Sequence, residues 1–447
     1  MSVSQDRSST TGQPATAQRG RSGAAARLEA LVAELFGVEL PVGVTAWDGS
    51  TAGPEGTPRV VLRRRRALRH VVWTPGELGL ARAYVSVDLD VEGDLTEALR
   101  RCWALARRLR GSLRFGPGQW RRILATAVRL GAIGPRPAPP EAEARLSGSL
   151  HSRRRDRSAI SHHYDAGNDL YELLLDPRMA YSCAYFGSEE TGLDRAQEDK
   201  LDLICRKLGL VEGQRMLDVG CGWGSLILFA AERYRVRVTG VTLSGQQAAF
   251  IRERVAQRGL ADFVEVRHQD YREVDDAPFD VVASVEMGEH VGEKNYAEYA
   301  AKLFSLLKPQ GRLVLQQMSR GATAPGGGAF IEHYVAPDMS MVSIGRTLDH
   351  LERAGFEVRD VEMMREHYVH TVRPWARTLE ERWDEAVGIV GAEEARVWRL
   401  YLAGGALAFE ENRMGVNQIM SVRPTSEGVS GLPLTSRRAL LDHRPER

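Results

Sequence analysis

No stretch of this sequence approaches the ~18 consecutive apolar residues that a bilayer span requires, so any membrane contact is peripheral. Cysteine is scarce. Its four copies (Cys102, Cys183, Cys205 and Cys221) suit neither a disulfide framework nor a metal site, and no metal is expected. A reducing, cytoplasmic setting follows. The first residues lack the apolar core of a secretory signal, and no internal repeat is present. The chain has 447 residues and is 43% hydrophobic, enough for two or three domains with real cores. Net charge is almost absent at +1, but the balance is uneven. Residues 1–157 hold 26 basic against 15 acidic side chains, and the remainder holds 34 against 44. A basic front part facing an anionic surface fits both a membrane and a nucleic acid. The aromatic–basic interleaving of an RNA-binding strand platform is missing, which argues against nucleic acid.

Composition shifts divide the chain. Residues 1–24 are Ser, Thr, Gln, Ala, Gly and Arg and read as a disordered tail. Residues 25–133 read as a small α+β domain associated with lipid or membrane. It has helices at Ala25–Phe36, Leu95–Leu109 and Trp120–Leu130, strands at Val42–Trp47 and Arg59–Leu62, and a run of arginines at Arg63–Arg66. Residues 134–157 form a basic linker stiffened by Pro135, Pro137, Pro139 and Pro140, with a second cluster at Arg153, Arg154, Arg155 and Arg157. Such clusters suit anionic headgroups, at about 1 kcal/mol per basic residue. Residues 158–420 form the larger domain, and 421–447 read as a flexible polar tail.

The larger domain is organised around Met216 to Ser225. A short buried strand ending at Val219 runs into Gly220, Gly222 and Gly224, and a helix opens at the apolar run Leu226–Ala231. Glycines at such a turn let a ligand approach the backbone, and Asp218 supplies an acceptor at the strand's end. The G-x-G-x-G spacing is not that of a dinucleotide fingerprint and favours S-adenosylmethionine (AdoMet). Strands at Arg215–Val219, Val236–Leu243, Val264–Arg267, Phe279–Val285 and Arg312–Met318 alternate with helices at Gly224–Tyr234, Gly245–Gln257 and Tyr296–Leu307. That alternation predicts an α/β, Rossmann-like, doubly wound parallel sheet. Its ligands lie at the carboxyl strand ends, near Asp218, Thr242, Asp270, Glu289 and Gln316. A flexible loop is expected at Gly321–Gly328, then helix at Leu348–Ala354, strand at Phe356–Val361, and helices at Trp375–Val390 and Ala392–Phe409.

Residues 160–420 resemble the cyclopropane-fatty-acyl-phospholipid and mycolic acid cyclopropane synthases. The likeness is carried by His162-His163-Tyr164-Asp165, Tyr181 to Phe186, Leu217 to Ser225, Thr242-Leu243-Ser244 with Gln247, Gln269-Asp270-Tyr271, and Glu289-His290-Val291-Gly292. Leu78 to Tyr84 resembles, more weakly, the front domain of the long phospholipid-acting members. The resemblance implies a class I methyltransferase in which Tyr181, Ser182, Asp218, Gly220, Gly222, Thr242, Leu243, Gln247, Asp270 and Tyr271 bind AdoMet. It also implies a bicarbonate ion as base, with Cys183, Glu289 and Tyr368 among its ligands. Gln316 stands where the family has a histidine, and Gly405 where it has a cysteine.

The implied chemistry is methyl transfer to the cis double bond of an unsaturated phospholipid acyl chain, in a site that excludes water, followed by proton loss from the resulting cation. Glu289 is expected to orient the base, with Tyr368 and Cys183 as hydrogen-bond partners. Gln316 cannot carry a proton away. The stretches Gln316-Gln317-Met318 and Arg413 to Gln418 look closer to the members that make 10-methylene chains. A 10-methylene product is therefore expected, with Gly288 leaving room for the cation and cyclopropane as the alternative. A separate reductase would be needed to saturate the branch. The expected setting is cytoplasmic, at the inner face of the membrane, and the sequence leaves room for a homo-oligomer.

Overall fold

The computed structural model describes residues 23–109, 115–144, 168–321 and 328–434. Expectations for the tail at 1–22, the Arg153–Arg157 cluster, His162 to Asp165, most of the Gly321–Gly328 loop, and residues 435–447 lie outside the described residues. The chain divides into two compact units, residues 1–138 and 139–447.

In the first unit a four-stranded sheet has the order β2-β1-β3-β4, with β1 Gly43–Thr45, β2 Thr51–Ala52, β3 Arg59–Leu62 and β4 Leu89–Glu92. Helices Ala24–Phe36, Arg66–Trp73, Glu77–Val85, Leu95–Arg108 and Pro117–Arg129 accompany it. Asp94 caps the fourth of these, accepting from Glu97 N at 3.1 Å. The arginine run is largely committed within the unit. Arg63 pairs with Asp90 at 2.7 Å, and Arg66 pairs with the fully buried Asp88. The acidic stretch that follows thus neutralises much of the first basic cluster.

The second unit is built on a seven-stranded sheet of order β10-β11-β9-β8-β5-β6-β7. Its strands are β5 Arg215–Val219, β6 Arg237–Thr242, β7 Val264–His268, β8 Phe279–Val285, β9 Leu307–Ser319, β10 Glu357–Met363 and β11 Gly415–Val422. β5 to β9 pair in parallel. Alternation along the strands feeds two apolar layers. Met216, Val238, Val281 and Val314 face one side, and Leu217, Val241, Val282 and Leu313 face the other. A third cluster joins Tyr171, Trp223, Tyr368, Trp375 and Trp398.

Three elements differ from expectation. β11 is antiparallel to both β9 and β10, so the sheet is mixed rather than wholly parallel, and Ser421 and Val422 belong to a buried strand rather than to a loose tail. Its sequence, Gly-Val-Asn-Gln-Ile-Met-Ser-Val, is polar at three positions, and two of those side chains, Asn417 and Gln418, bond sideways inside the sheet. Asn417 Nδ2, for instance, donates to Ser319 Oγ at 2.7 Å. The helix expected from Trp375 starts at Arg365, runs through Pro374 and stops at Glu381. Proline there removes one backbone donor, but the packing of Tyr368, Val372 and Trp375 into the aromatic cluster holds the helix. β9 begins at Leu307 rather than Arg312.

Candidate active site

The carboxyl ends of β5, β6 and β8 open into a cleft of about 1140 Å³, counting its mouth. The backbone after β5 makes its floor. Gly220 N donates to Val241 O at 3.0 Å, and both Gly220 (φ 81°) and Gly222 (φ 54°) are left-handed. A Cβ on Gly220 would come within 2.9 Å of Met287 Cγ, while one on Gly222 would project into open space.

Of the residues expected to bind the methyl donor, Tyr181, Ser182, Asp218, Gly220, Gly222, Thr242, Leu243, Gln247 and Tyr271 line this cleft. Thr242 Oγ1 donates to Gln247 Oε1 at 2.7 Å and accepts from Ser244 N at 3.1 Å, which fixes the turn into the next helix. Asp270 differs. It is not part of the lining, and its Oδ1 accepts from Arg272 N at 3.0 Å and Arg272 Nε at 2.9 Å. It shapes the turn that presents Tyr271 and Arg272. Lys200, which the motifs did not single out, lies in the wall and donates to Ser182 Oγ at 2.8 Å.

The lining fits AdoMet. Asp218 Oδ1 and Gln247 Nε2 are buried without a hydrogen-bond partner, one an acceptor and the other a donor, and both border the cleft. Buried polar atoms are rarely left unpaired, and a ligand rich in hydroxyl, amine and ring nitrogen groups satisfies both. Burial pushes the Asp218 carboxyl up to about 7, partly offset by the Lys200 charge. The Tyr181 ring sits against Tyr171, Trp223, Trp375 and Trp398, at centroid distances of 5.2 to 6.3 Å. Of these rings Tyr181 and Trp223 also line the cleft, giving it an aromatic border of the kind that suits a cation.

The residues expected to do chemistry converge on a side chain the motifs missed. Glu286 follows directly on β8 and lines the cleft. Its Oε1 accepts from Cys183 N at 2.7 Å and from Gln316 Nε2 at 3.1 Å, and its Oε2 accepts from Tyr368 Oη at 2.6 Å. Gln316 Nε2 also donates to Cys183 O at 3.1 Å, and its Oε1 accepts from Gln418 Nε2 at 2.8 Å. The Cys183 thiol is turned toward the Ala184 and Met364 carbonyls, and burial pushes its pKa well up. Glu289 stands apart from this group. Its Oε1 accepts from Met318 N, and its buried Oε2 has no partner. A signal for Glu286 was present, since acids at the carboxyl ends of parallel strands meet ligands. Glu286 and Glu289 both stand at that strand end, and local sequence does not separate them.

Gly288 also departs from expectation. A Cβ there would lie 2.2 Å from Gln317 Oε1, which accepts from Tyr296 Oη at 2.5 Å. Its missing side chain makes room for that amide and not for a substrate. Beside Gly405, by contrast, a Cβ would meet nothing within 4 Å.

Bicarbonate does not fit the residues present. The Cys183 amide, the Gln316 amide and the Tyr368 hydroxyl already serve the Glu286 carboxylate. A further anion would lose those donors and adjoin two buried carboxyl groups.

A profile of the family described as Mycolic acid cyclopropane synthetase matches residues 151–419. The Probable fatty acid methyltransferase Rv3720 of Mycobacterium tuberculosis is 41% identical over 409 residues, covering 88% of this chain and 94% of its own. The Tuberculostearic acid methyltransferase UfaA1 of the same organism is 30% identical, with 92% and 95% covered. Among solved structures, the mycolic acid cyclopropane synthase CmaA1 complexed with SAH and CTAB superposes with a TM-score of 0.57 at 30% identity, covering 59% of this chain and 97% of that one.

Proposed function

The chain belongs to the mycolic acid cyclopropane synthetase family, and from that premise we propose that it methylates the cis double bond of a phospholipid acyl chain and leaves a 10-methylene branch. It is an AdoMet-dependent methyltransferase of lipids, with the α/β fold of class I enzymes. The observation that carries the finer reading is a carboxylate, Glu286, built into the wall of the methyl-donor cleft that Tyr181 and Trp223 also line. Methylating carbon, unlike methylating a lone pair, leaves a carbocation that must lose a proton from carbon, and a buried acceptor at the reacting end serves that need.

AdoMet, when bound, supplies an electrophilic methyl group. The chain's residues do the rest. Gly220 and Gly222 admit the ligand to the backbone, Asp218 and Gln247 offer it an acceptor and a donor, and the Tyr181 and Trp223 rings in the lining keep water from the cation. A 1,2-hydride shift followed by proton loss from the new methyl gives the methylene. The neutral Gln316 and the likeness to the Tuberculostearic acid methyltransferase support that outcome over ring closure. The bicarbonate ion implied by the sequence resemblance has no part in this reading. Saturating the branch would need a separate reductase.

Membrane contact belongs to the first unit. In the helix Pro117–Arg129, which has no buried residue, Trp120, Leu124 and Val128 recur every four positions and are each 58–59% exposed. Arg121, Arg122 and Arg129 accompany this stripe, the pattern of a helix that lies in an anionic interface. Peripheral attachment at the cytoplasmic face would bring acyl chains to the enzyme.

The test is gas chromatography with mass spectrometry of the acyl chains after purified enzyme has acted on oleoyl phospholipid and AdoMet. A methylene-branched chain is expected. Pure cyclopropane would sink the product assignment, and methyl found only on a heteroatom would sink the reading as a whole.

A further inference from the structure

We propose that the Glu286 carboxylate is itself the proton acceptor of the reaction, so that this enzyme carries its base covalently and needs no bicarbonate. The inference rests on the acyl-methylating reading above.

Three elements far apart in sequence aim donors at one carboxylate: the backbone of Cys183, the Gln316 amide on β9, and the Tyr368 hydroxyl on the helix Arg365–Glu381. Cys183 and Tyr368 are two of the groups that the family resemblance assigns to the ion, and Gln316 stands at a third such position. Here Glu286 occupies all of them, while Glu289, assigned to the ion as well, keeps a separate place on Met318 N. The backbone is committed to this arrangement. Glu286 sits at φ 50°, a left-handed conformation that costs a side-chain-bearing residue about 1 kcal/mol or more. Its N–H donates to Gln316 O at 2.6 Å, which ties the turn to β9. The conformation brings the carboxylate to the cleft wall, beside Asp218, Gly220 and Met287.

Capacity for a proton remains. Oε1 accepts two hydrogen bonds and Oε2 only one, so Oε2 retains a lone pair. Burial raises the basicity of the Glu286 carboxylate, while its three donors keep it ionised in preference to Glu289. Cys183, Gln316 and Tyr368 are then positioning residues.

The step balances. The alkene π pair forms the new C–CH₃ bond, and the S–CH₃ pair stays on sulfur as a neutral thioether. The hydride shift moves the cation to the methyl-bearing carbon. A C–H pair of the methyl becomes the exocyclic π bond, and its proton passes to Glu286 Oε2. That proton reaches bulk water after the product leaves, so each turnover releases one proton.

The experiment follows labelled methyl from AdoMet into oleoyl phospholipid vesicles, in buffer stripped of carbon dioxide and in the same buffer with bicarbonate added. It uses the intact enzyme and the variants Glu286→Gln and Glu286→Gly; calorimetric AdoMet binding confirms that each variant is folded. Unmodified enzyme is expected to turn over equally in both buffers. Glu286→Gln should bind AdoMet within twofold of normal yet lose about 100-fold or more in turnover. In Glu286→Gly, which suits the left-handed backbone, formate or bicarbonate filling the vacated space should restore product. Loss of unmodified activity on stripping, regained with bicarbonate, would overturn the inference, as would undiminished turnover by Glu286→Gln. In both of those cases lipid is still labelled, and the proposed function stands. Unmodified enzyme that labels no lipid in either buffer overturns both.

Discussion

The Tyr368 hydroxyl donates to Glu286 Oε2 at 2.6 Å, joining the helix Arg365–Glu381 to the turn after β8. A donor to the ionised form lowers a carboxyl's pKa, and here it opposes the larger upward push of burial. In Tyr368→Phe the Glu286 carboxyl therefore stays protonated to higher pH. The acid limb of the kcat profile should move upward, with turnover at neutral pH down about tenfold and AdoMet affinity unchanged. A profile that stays in place would show that the hydrogen bond has no part in the chemistry.

Glu289 should reveal itself in stability rather than in AdoMet binding. Burial, and then the Glu286 charge, push its carboxyl up to about 8 from an ordinary 4.5. The folded value lies above the unfolded one, so the stabilising contribution is whole below about pH 4.5 and is lost as pH rises through about 8. The melting temperature of the intact enzyme should slope downward across that window. Glu289→Gln, which mimics the neutral acid, should flatten the slope while binding AdoMet normally. Equal slopes would remove Glu289 as the titrating group.

Asp218 predicts a pH-dependent affinity for the methyl donor. Its buried Oδ1 lacks a partner, and burial lifts its carboxyl to about 7. A ligand that donates to the ionised carboxylate competes with a proton, so AdoMet should bind about tenfold more weakly at pH 6 than at pH 8. Isothermal titration across that range checks this, and Asp218→Asn should bind weakly and without the pH trend.

The exposed stripe on Pro117–Arg129 predicts lipid-dependent behaviour. Replacing Trp120 and Leu124 together by Asp should abolish co-sedimentation with anionic vesicles, while activity on detergent-dispersed lipid persists. Binding to vesicles that survives this change would place the membrane contact elsewhere. Neither residue is buried in the fold, so the melting temperature should hold.

The two acids of Glu286-Met287-Gly288-Glu289 show why the site was harder to read than the fold. Hydrophobic periodicity and glycine spacing are local, and they located β5, β8, the Gly220–Gly224 turn and most of the cleft lining. Which acid meets Tyr368 depends on a left-handed backbone at Glu286 and on partners 82 and 103 residues away. Similarly, Gly288 looks like space in the chain, and only the Gln317 amide packed upon it shows the space to be filled. β11 escapes hydrophobic periodicity because Asn417, Gln418 and Ser421 interrupt its apolar pattern, whereas all three are fully buried between β9 and β10.

Sequence alone determined a chain with no apolar run long enough to cross a membrane, a basic front part, and an AdoMet-dependent α/β domain, because each of these rests on composition or on contacts between near neighbours. Only the tertiary structure decided where the negative charge stands, because that charge is held by an amide, a carboxamide and a phenol gathered from three separate elements. No local pattern specifies such a meeting, since it exists only once the sheet and its covering helices have closed around it.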